Sequence, residues 1–545
     1  MLRLTRFAIA ALAALLPAAC ATTQSPAPVT GSRPRLAVVI VVDGLPQRQA
    51  VDYRDQFAPD GFERFLTRGA WFTDANYGYA TTETAPGHTT IFTGANPRRH
   101  GIIANEWMDV KSHAKVYSFG DSNQFPVRHR PLAMEGTSTK NLLVETLADA
   151  MRKADPRSKV ISVSDKDRSA IPAAGKAGAA YIFHEETGEF DSTTAYMTAL
   201  PKWVVDFNAA QPARKYVGAE WKPLLPDAAY SRSLPDERPW YGEGGKLPRK
   251  LPAQGGARFN HQMMATPFGD DLTLAFARAA LEGEQLGRDG SPDLLVVALS
   301  SHDYVNHAFG AESRISHDHV LYLDRALQDF LNDLDVAVGR DNYVAVITSD
   351  HGFTPAPEHS QSLGRDAGRA EPAKLGEAVN AALVKKYRRG RWVQGWSGDM
   401  IVLNRNTLQG RDAPIAEVMK EAKAALLAQP GVADAFTRAE IEDPKVPGTP
   451  LLDAVRKSWH PDRSGDIYVV PKPYWLVTGP GKGTTHGSPH PYDTNVPLLW
   501  YGPSWIAPGR IDRPVDMIDV APTLARILGV PAPSGSEGKP LPLET

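Results

Sequence analysis

Cysteine is almost absent from this chain: Cys20 is the single one among 545 residues. One cysteine cannot form an internal disulfide, and Cys20 stands inside the leader, so the mature chain has no thiolate to bind a metal or attack a substrate. Cysteine nucleophiles and cysteine-rich zinc sites are excluded, and Asp and His must carry any metal chemistry. An excess of either charge is lacking as well, since 60 Lys and Arg face 62 Asp and Glu, for a net charge of −2. That balance gives no electrostatic reason to expect nucleic acid or an anionic membrane as partner, and affinity for a small anion must come from local charge. Long apolar runs are missing too. The longest, AIAALAALLPAA, is shorter than the ~20 residues of a membrane span. It follows Arg3 and Arg6 and precedes small residues. Residues 1–21 therefore read as a signal peptide and the protein as periplasmic. Cleavage before Thr22 is the favoured processing. A lipid anchor at Cys20, in LPAAC with Pro17 where an aliphatic residue is usual, is the alternative. Residues 22–34 are polar and Pro-rich, and a disordered tether is expected there.

Apolar runs that end on acidic or histidine residues are what the chain does have. Asp43 follows LAVVIVV, Asp303 and His307 lie in LLVVALSSHDYVNH, Asp350 and His351 follow YVAVITS, and His486 lies in GKGTTHGSPHPYD. Continuous Val, Ile and Leu runs are the mark of strands buried on both faces. In open parallel sheets, ligands gather at the carboxyl ends of the strands. Helical patterns alternate with these runs, including TSTKNLLVETLADAMRKAD with Leu143, Leu147 and Met151 at helical spacing. The expected fold is α/β, a mostly parallel central sheet flanked by helices. One catalytic domain over 35–545 is expected, with inserted cap regions at about 187–260 and 355–478. The first is rich in Pro, Trp and Tyr and is expected to lie over the active face.

Three Asp and three His brought to one sheet edge make a metal site. Asp303 and His307, four apart, share a face of a helical turn, and with His486 they form a first metal site. Asp43, Asp350 and His351 form a second. Two metals about 4 Å apart clamp attacking and leaving oxygens in phosphoryl transfer. Each motif alone is weak, because an Asp after a strand is often a helix cap and a lone His is often structural. Their co-occurrence at strand ends carries the argument. His88, His100, His302 and His490 are read as structural or as supports behind the ligands, and Asp493 as a residue that orients a ligand. TTETAPGHTTIFTG places hydroxyls ahead of a helix expected to start near Pro86, in the positive end of its dipole. Thr82, Thr84 and Thr89 remain open as the reactive hydroxyl.

The motifs TETAPGHTTIFTGANPRRHGIIANEW, VVDG, SDHG and THGSP together resemble the alkaline phosphatase superfamily. The resemblance is closest to bacterial alkaline phosphatases that use Thr in place of Ser and share features with nucleotide pyrophosphatases/phosphodiesterases. It implies that Thr84 is the nucleophile and a metal ligand, that Asn105 binds a phosphoryl oxygen, and that Lys166 and Arg168 of SDKDRSAIPAAG hold the remaining oxygens. The physics agrees: a monoester dianion has oxygens beyond those that metals cover, Lys supplies a point charge and Arg a fork of donors. The resemblance also implies two zinc ions, though the Asp ligands tolerate manganese. The expected activity is hydrolysis of small phosphate monoesters at alkaline pH through a phospho-threonine, by a monomer. A phosphodiesterase or nucleotide pyrophosphatase on the same metal frame is the alternative. A phosphate- or metal-binding protein without turnover has no need of a hydroxyl at a helix start, and a sulfatase needs a Cys or Ser where Thr84 stands.

Overall fold

The computed structural model describes residues 33–128, 136–388, 390–409 and 414–543. The expected signal peptide and nearly all of the expected tether lie outside the described residues. Nine strands form the path of the main sheet: β1 (Leu36–Val42), β2 (Ala70–Asn76), β3 (Val160–Ser164), β4 (Ala179–His184), β5 (Glu189–Asp191), β6 (Asp293–Leu299), β7 (Tyr343–Thr348), β8 (Asn495–Tyr501) and β9 (Gly509–Ile511). Their spatial order is β9-β2-β8-β7-β1-β6-β3-β4-β5, and a short tenth strand at Val515–Asp516 pairs with β2. The five central strands β7, β1, β6, β3 and β4 are parallel to one another. β8 runs antiparallel to β7 and to β2.

The seven residues of β1 are all fully buried. Side chains alternate across a strand, so Leu36, Val38, Ile40 and Val42 enter one core while Ala37, Val39 and Val41 enter the other. The helices that pack on this sheet or start at its edge include α1 (Thr84–Thr93), α2 (Leu147–Ala154), α3 (Asp167–Ala174), α4 (Pro267–Gly283), α5 (Ser301–Phe309), α6 (Arg314–Ala337) and α7 (Val520–Leu528). Leu272 and Phe276 of α4 and Leu327 of α6 pack on the first face. Ile91 and Phe92 of α1, Met151 of α2 and Leu524 of α7 pack on the second. Each fully buried Val or Leu contributes about 1.5–3 kcal/mol, so the two apolar layers hold the sheet far more firmly than any polar contact.

One expectation needs correction, and another needs refining. The helix expected over residues 137–155 begins only at Leu147, where Thr146 and Asp149 form a reciprocal capping box. That cap satisfies the first free N–H groups and fixes the start, so Leu143 lies upstream, 51% exposed. The first inserted stretch divides: one part packs on the sheet and α4, and another, with Trp221, Tyr241 and Leu247, on Val305 and Phe309 of α5. β5 extends the sheet beside β4, and Phe190 stacks on Phe276 of α4 at 4.0 Å. Val204, Tyr216, Tyr230 and Phe259 join the same core, because burying aromatic area against α4 outweighs leaving it over a polar edge. From this stretch, Gly242 N–H donates to the Ala308 carbonyl at the end of α5.

Within 355–478, strands Val393–Ser397, Met400–Leu403, Val432–Thr437 and Ile467–Pro471 form a separate antiparallel sheet. Its residues alternate: Ile401, Ala435, Ile467 and Val469 face its own helices. Met400, Phe436, Tyr468 and Val470 face the main body. The sheet is thereby clamped against the segment that leads into α1. Ser397 Oγ accepts from Met108 N–H, and Tyr468 and Thr81 share a hydroxyl hydrogen bond of 2.7 Å.

Candidate active site and metal centre

Parallel strands end on one edge, and that edge collects the polar residues. Asp43 follows β1, Lys166 follows β3, Asp303 lies in the first turn of α5 after β6, and Asp350 and His351 follow β7. β8 runs the other way, so the loop before it delivers His486 to the same edge. β2 is antiparallel to β8, so its carboxyl end leads Thr84 there too.

Five of these side chains, with His307 one turn on from Asp303, assemble into two groups. Asp303, His307 and His486 form one, and Asp43, Asp350 and His351 the other, with the ligand atoms of each group within 4.8 Å of one another. In the first group, His307 Nε2 and His486 Nε2 lie 3.3 and 3.6 Å from Asp303 Oδ1. In the second, His351 Nε2 lies 3.3 Å from Asp43 Oδ1 and 3.4 Å from Asp350 Oδ2. The rings of His351 and His486 stack at 3.4 Å and join the groups.

Buried polar atoms normally find a partner. Asp43 Oδ1, Asp303 Oδ1, Asp350 Oδ2 and His351 Nε2 are buried without a hydrogen-bond partner among the described residues. They are the atoms that converge within the two groups. A set of hard carboxylate oxygens and imidazole nitrogens with unused lone pairs fits divalent cations. The three histidines of these groups are oriented in a way that suits such a role. His351 Nδ1–H donates to the Gly352 carbonyl, His307 Nδ1–H to Thr484, and His486 Nδ1–H to Thr82, at 2.9, 3.0 and 2.8 Å. Each bond fixes the tautomer that turns Nε2 toward the site.

Charge in the site is set by proximity. Burial raises the Asp303 carboxyl, yet Lys166, then His307 and His486, hold it well below the ordinary range. Burial and His351 keep His486 well below its ordinary value, hence neutral, the form that binds a metal. Burial opposes the charge of His351, but Asp350 and Asp43 push it up to about 10. A proton therefore competes with a metal ion for that nitrogen.

Thr84 is the first residue of α1, two residues ahead of the start expected at Pro86. Its side chain is buried, and its neighbours touch both groups. Thr82 O receives His486 Nδ1–H, and Thr84 O lies 3.1 Å from His88 Nδ1, itself 3.3 Å from Asp350 Oδ2. A Cβ on Gly87 would lie 2.2 Å from the Asp350 carbonyl, so only glycine lets α1 approach this closely. Ala85 N–H donates to Asn105 Oδ1 at 2.8 Å. Asn105 and Arg168 line a cleft of about 490 Å³ with Glu83, Tyr117, His307 and His486. Lys166 sits deeper, 2.8 Å from Asp43 Oδ2 and 2.6 Å from Asp303 Oδ2, linking the two groups.

Glu83 and Tyr117 are cleft residues that sequence reasoning missed. Glu83 accepts from Asn105 N–H at 2.6 Å. Its place directly before Thr84 was the available signal; nothing in the sequence marks Tyr117. His100 bonds within its own neighbourhood, His490 to the Pro471 carbonyl, and His302 to His319 and Gln49. His88 stands directly behind Asp350. Asp493 acts on a loop rather than on a ligand side chain: it accepts from Thr354 and Ser488 and holds the chain around His486.

A mostly parallel sheet with a cation-ready edge, a threonine at a helix start and a polar cleft lined by Asn105 and Arg168 defines a phosphoester-processing enzyme frame. The profile of the type I phosphodiesterase / nucleotide pyrophosphatase family matches residues 37–493, and the chain belongs to that family, within the alkaline phosphatase superfamily. It is 35% identical to alkaline phosphatase PafA of Elizabethkingia meningoseptica, over 93% of this chain and 94% of that protein. It is 34% identical to alkaline phosphatase PhoV of Synechococcus elongatus, over 94% and 93%. The crystal structure of PafA superposes with a TM-score of 0.87 at 34% identity, covering 94% of this chain and 99% of that one.

Proposed function

We propose that this protein is a metal-dependent alkaline phosphatase that hydrolyses small phosphate monoesters through a phospho-threonine at Thr84. The observation that carries the reading is the pair of three-residue groups, with unpartnered buried atoms, next to the start of α1. Asp303, His307 and His486 would hold one zinc ion and Asp43, Asp350, His351 and Thr84 a second, and bound there the ions would supply positive charge that makes a hydroxyl more acidic and steadies developing oxyanions. Manganese is the alternative ion for these ligands.

The chain's own residues do the rest. Thr84 Oγ1, at the positive end of α1, attacks phosphorus; the P–O bond to the alcohol breaks in line and the alcohol departs. Asn105 Oδ1 is occupied by Ala85 N–H, which leaves the Nδ2 hydrogens to donate to a phosphoryl oxygen. Arg168 offers its fork from the cleft wall, and Lys166 its charge from the floor. Water then attacks the phospho-Thr84, the P–Oγ1 bond breaks, and inorganic phosphate and the free hydroxyl result. The names of the relatives support this reading. So does a PafA variant of known structure, in which a Thr is changed to Ser and an Asn, a Lys and an Arg to Ala, the residue types and order of Thr84, Asn105, Lys166 and Arg168.

Chelation is expected to abolish turnover of a chromogenic monoester and zinc to restore it, while Thr84→Ala lowers kcat by about 10³-fold or more. Full turnover by the metal-stripped protein would contradict the proposal. The family profile favours a second reading, a phosphodiesterase or nucleotide pyrophosphatase. A diester carries one charged oxygen fewer and leaves the Lys166 and Arg168 pair underused, so kcat/KM for matched monoester and diester substrates separates the two. We further propose export to the periplasm, on the strength of the leader over 1–21, and action as a monomer, with the mass of the mature chain deciding between cleavage and lipidation at Cys20.

A further inference from the structure

Acids and bases alternate in Asp165, Lys166, Asp167 and Arg168, and an acid beside each cation is a hazard. Asp167 adjoins Arg168 in the chain, and an ion pair between the two would draw the guanidinium away from a substrate. The fold holds one oxygen of that acid instead, while Asp167 Oδ2 is buried with no hydrogen-bond partner among the described residues. The Tyr117 hydroxyl donates to Asp167 Oδ1, which also accepts the backbone N–H of Arg168 at 2.7 Å. Arg168 Nε is buried without a hydrogen-bond partner among the described residues, and Arg168 lines the cleft beside Tyr117. The neighbouring pair has the same plan. The Tyr304 hydroxyl donates to Asp165 Oδ2 at 2.9 Å, and Lys166 Nζ sits 4.7 Å from the centre of the Tyr304 ring.

Tyr117 reaches Asp167 from a hairpin of strands Glu106–Met108 and Lys115–Tyr117, in which Glu106 pairs with Tyr117. Asn105 immediately precedes that hairpin, and its carbonyl accepts Ser118 N–H at 3.0 Å. One small hairpin thus holds Asn105 directly and the start of α3 through Tyr117. We propose that Tyr117 is a positioning residue: its hydroxyl keeps Asp167 from pairing with the Arg168 guanidinium, and so sets how strongly the cleft prefers a phosphate dianion. The inference rests on the role of Arg168 in the proposed reaction.

The test uses the zinc-loaded full-length protein with Tyr117→Phe, Arg168→Ala and both together. Tyr117→Phe keeps the ring and removes the hydroxyl. It is expected to lower kcat/KM for a monoester about 10-fold, the scale of one hydrogen bond to a charged group. Calorimetric affinity for inorganic phosphate should weaken by a similar factor, and diester turnover should change by less than about 2-fold. The double variant should lose no more than Arg168→Ala alone, because the two residues act as a unit. Adding Asp167→Asn to Tyr117→Phe removes the competing charge and is expected to restore most of the monoester activity. If Arg168→Ala spares monoesters, the role of Arg168 fails and the inference with it. If Arg168→Ala costs monoester preference while Tyr117→Phe behaves as wild type, adds its full loss to the double variant, or stays unrelieved by Asp167→Asn, Tyr117 is overturned and the proposed function stands.

Discussion

Asp324 shows at the residue scale how this chain treats a buried carboxylate away from the metal edge. It is fully buried, and its oxygens accept Ala58 N–H and Phe62 N–H at 2.6 and 2.8 Å. Burial nevertheless outweighs these bonds and lifts its pKa from 3.8 to about 6. Between those values the native state binds more protons than the unfolded state, so this group's contribution to stability is present below pH 3.8 and is lost as the pH rises through 6. Asp324→Asn cannot ionise and keeps an acceptor. Relative to wild type it is expected to gain about 1–3 kcal/mol between about pH 4 and pH 7 in denaturant melts; a relative loss over that window would contradict the assignment. The six residues of the two candidate metal groups were legible in the sequence for the converse reason. Asp43, Asp303 and Asp350 each stand where a fully apolar run stops, a place where a carboxylate is otherwise hard to explain. Tyr117 was not legible, because its role depends on a hairpin that brings it to Asp167 across fifty positions of chain.

Elements were easier to find than their ends. The strand runs announced themselves through Val and Ile, but β8 reads like its parallel neighbours, since composition does not encode direction. The order of strands was also hidden, because pairing joins residues far apart in sequence. Helix starts depended on caps. Leu143, Leu147 and Met151 keep a helical spacing, yet Thr146 and Asp149 set the true beginning of α2, and α1 begins at Thr84 with Pro86 already inside its first turn. Thr146→Ala removes one half of that box and is expected to cost about 1 kcal/mol in equilibrium unfolding. A neutral result would mean that packing of Leu147 and Met151 alone fixes the start. The inserted sheet at 393–471 was blurred in the sequence because its short strands face apolar surroundings on both sides.

For the whole molecule, the metal edge is a liability until it is filled. Three carboxylates and three imidazoles drawn from the length of the chain are held together by the fold alone, with Lys166 offsetting part of their charge. An ion that binds only the assembled edge stabilises the native state by mass action, about 2.7 kcal/mol per site at about 100 times Kd. The melting temperature of chelated protein is therefore expected to rise with added zinc in a concentration-dependent way, by calorimetry on the catalytically inert Thr84→Ala variant as well as on wild type. A melting temperature indifferent to zinc would sink the metal centre independently of any assay of turnover.

The backward course of β8 has one more result. Because β8 lies between β7 and β2, a chain that stopped short of His486 would leave both strands without their shared neighbour. Such a truncated product would keep Asp43, Thr84 and Lys166 and yet be inert, since the group of Asp303, His307 and His486 closes only with the final stretch of polypeptide.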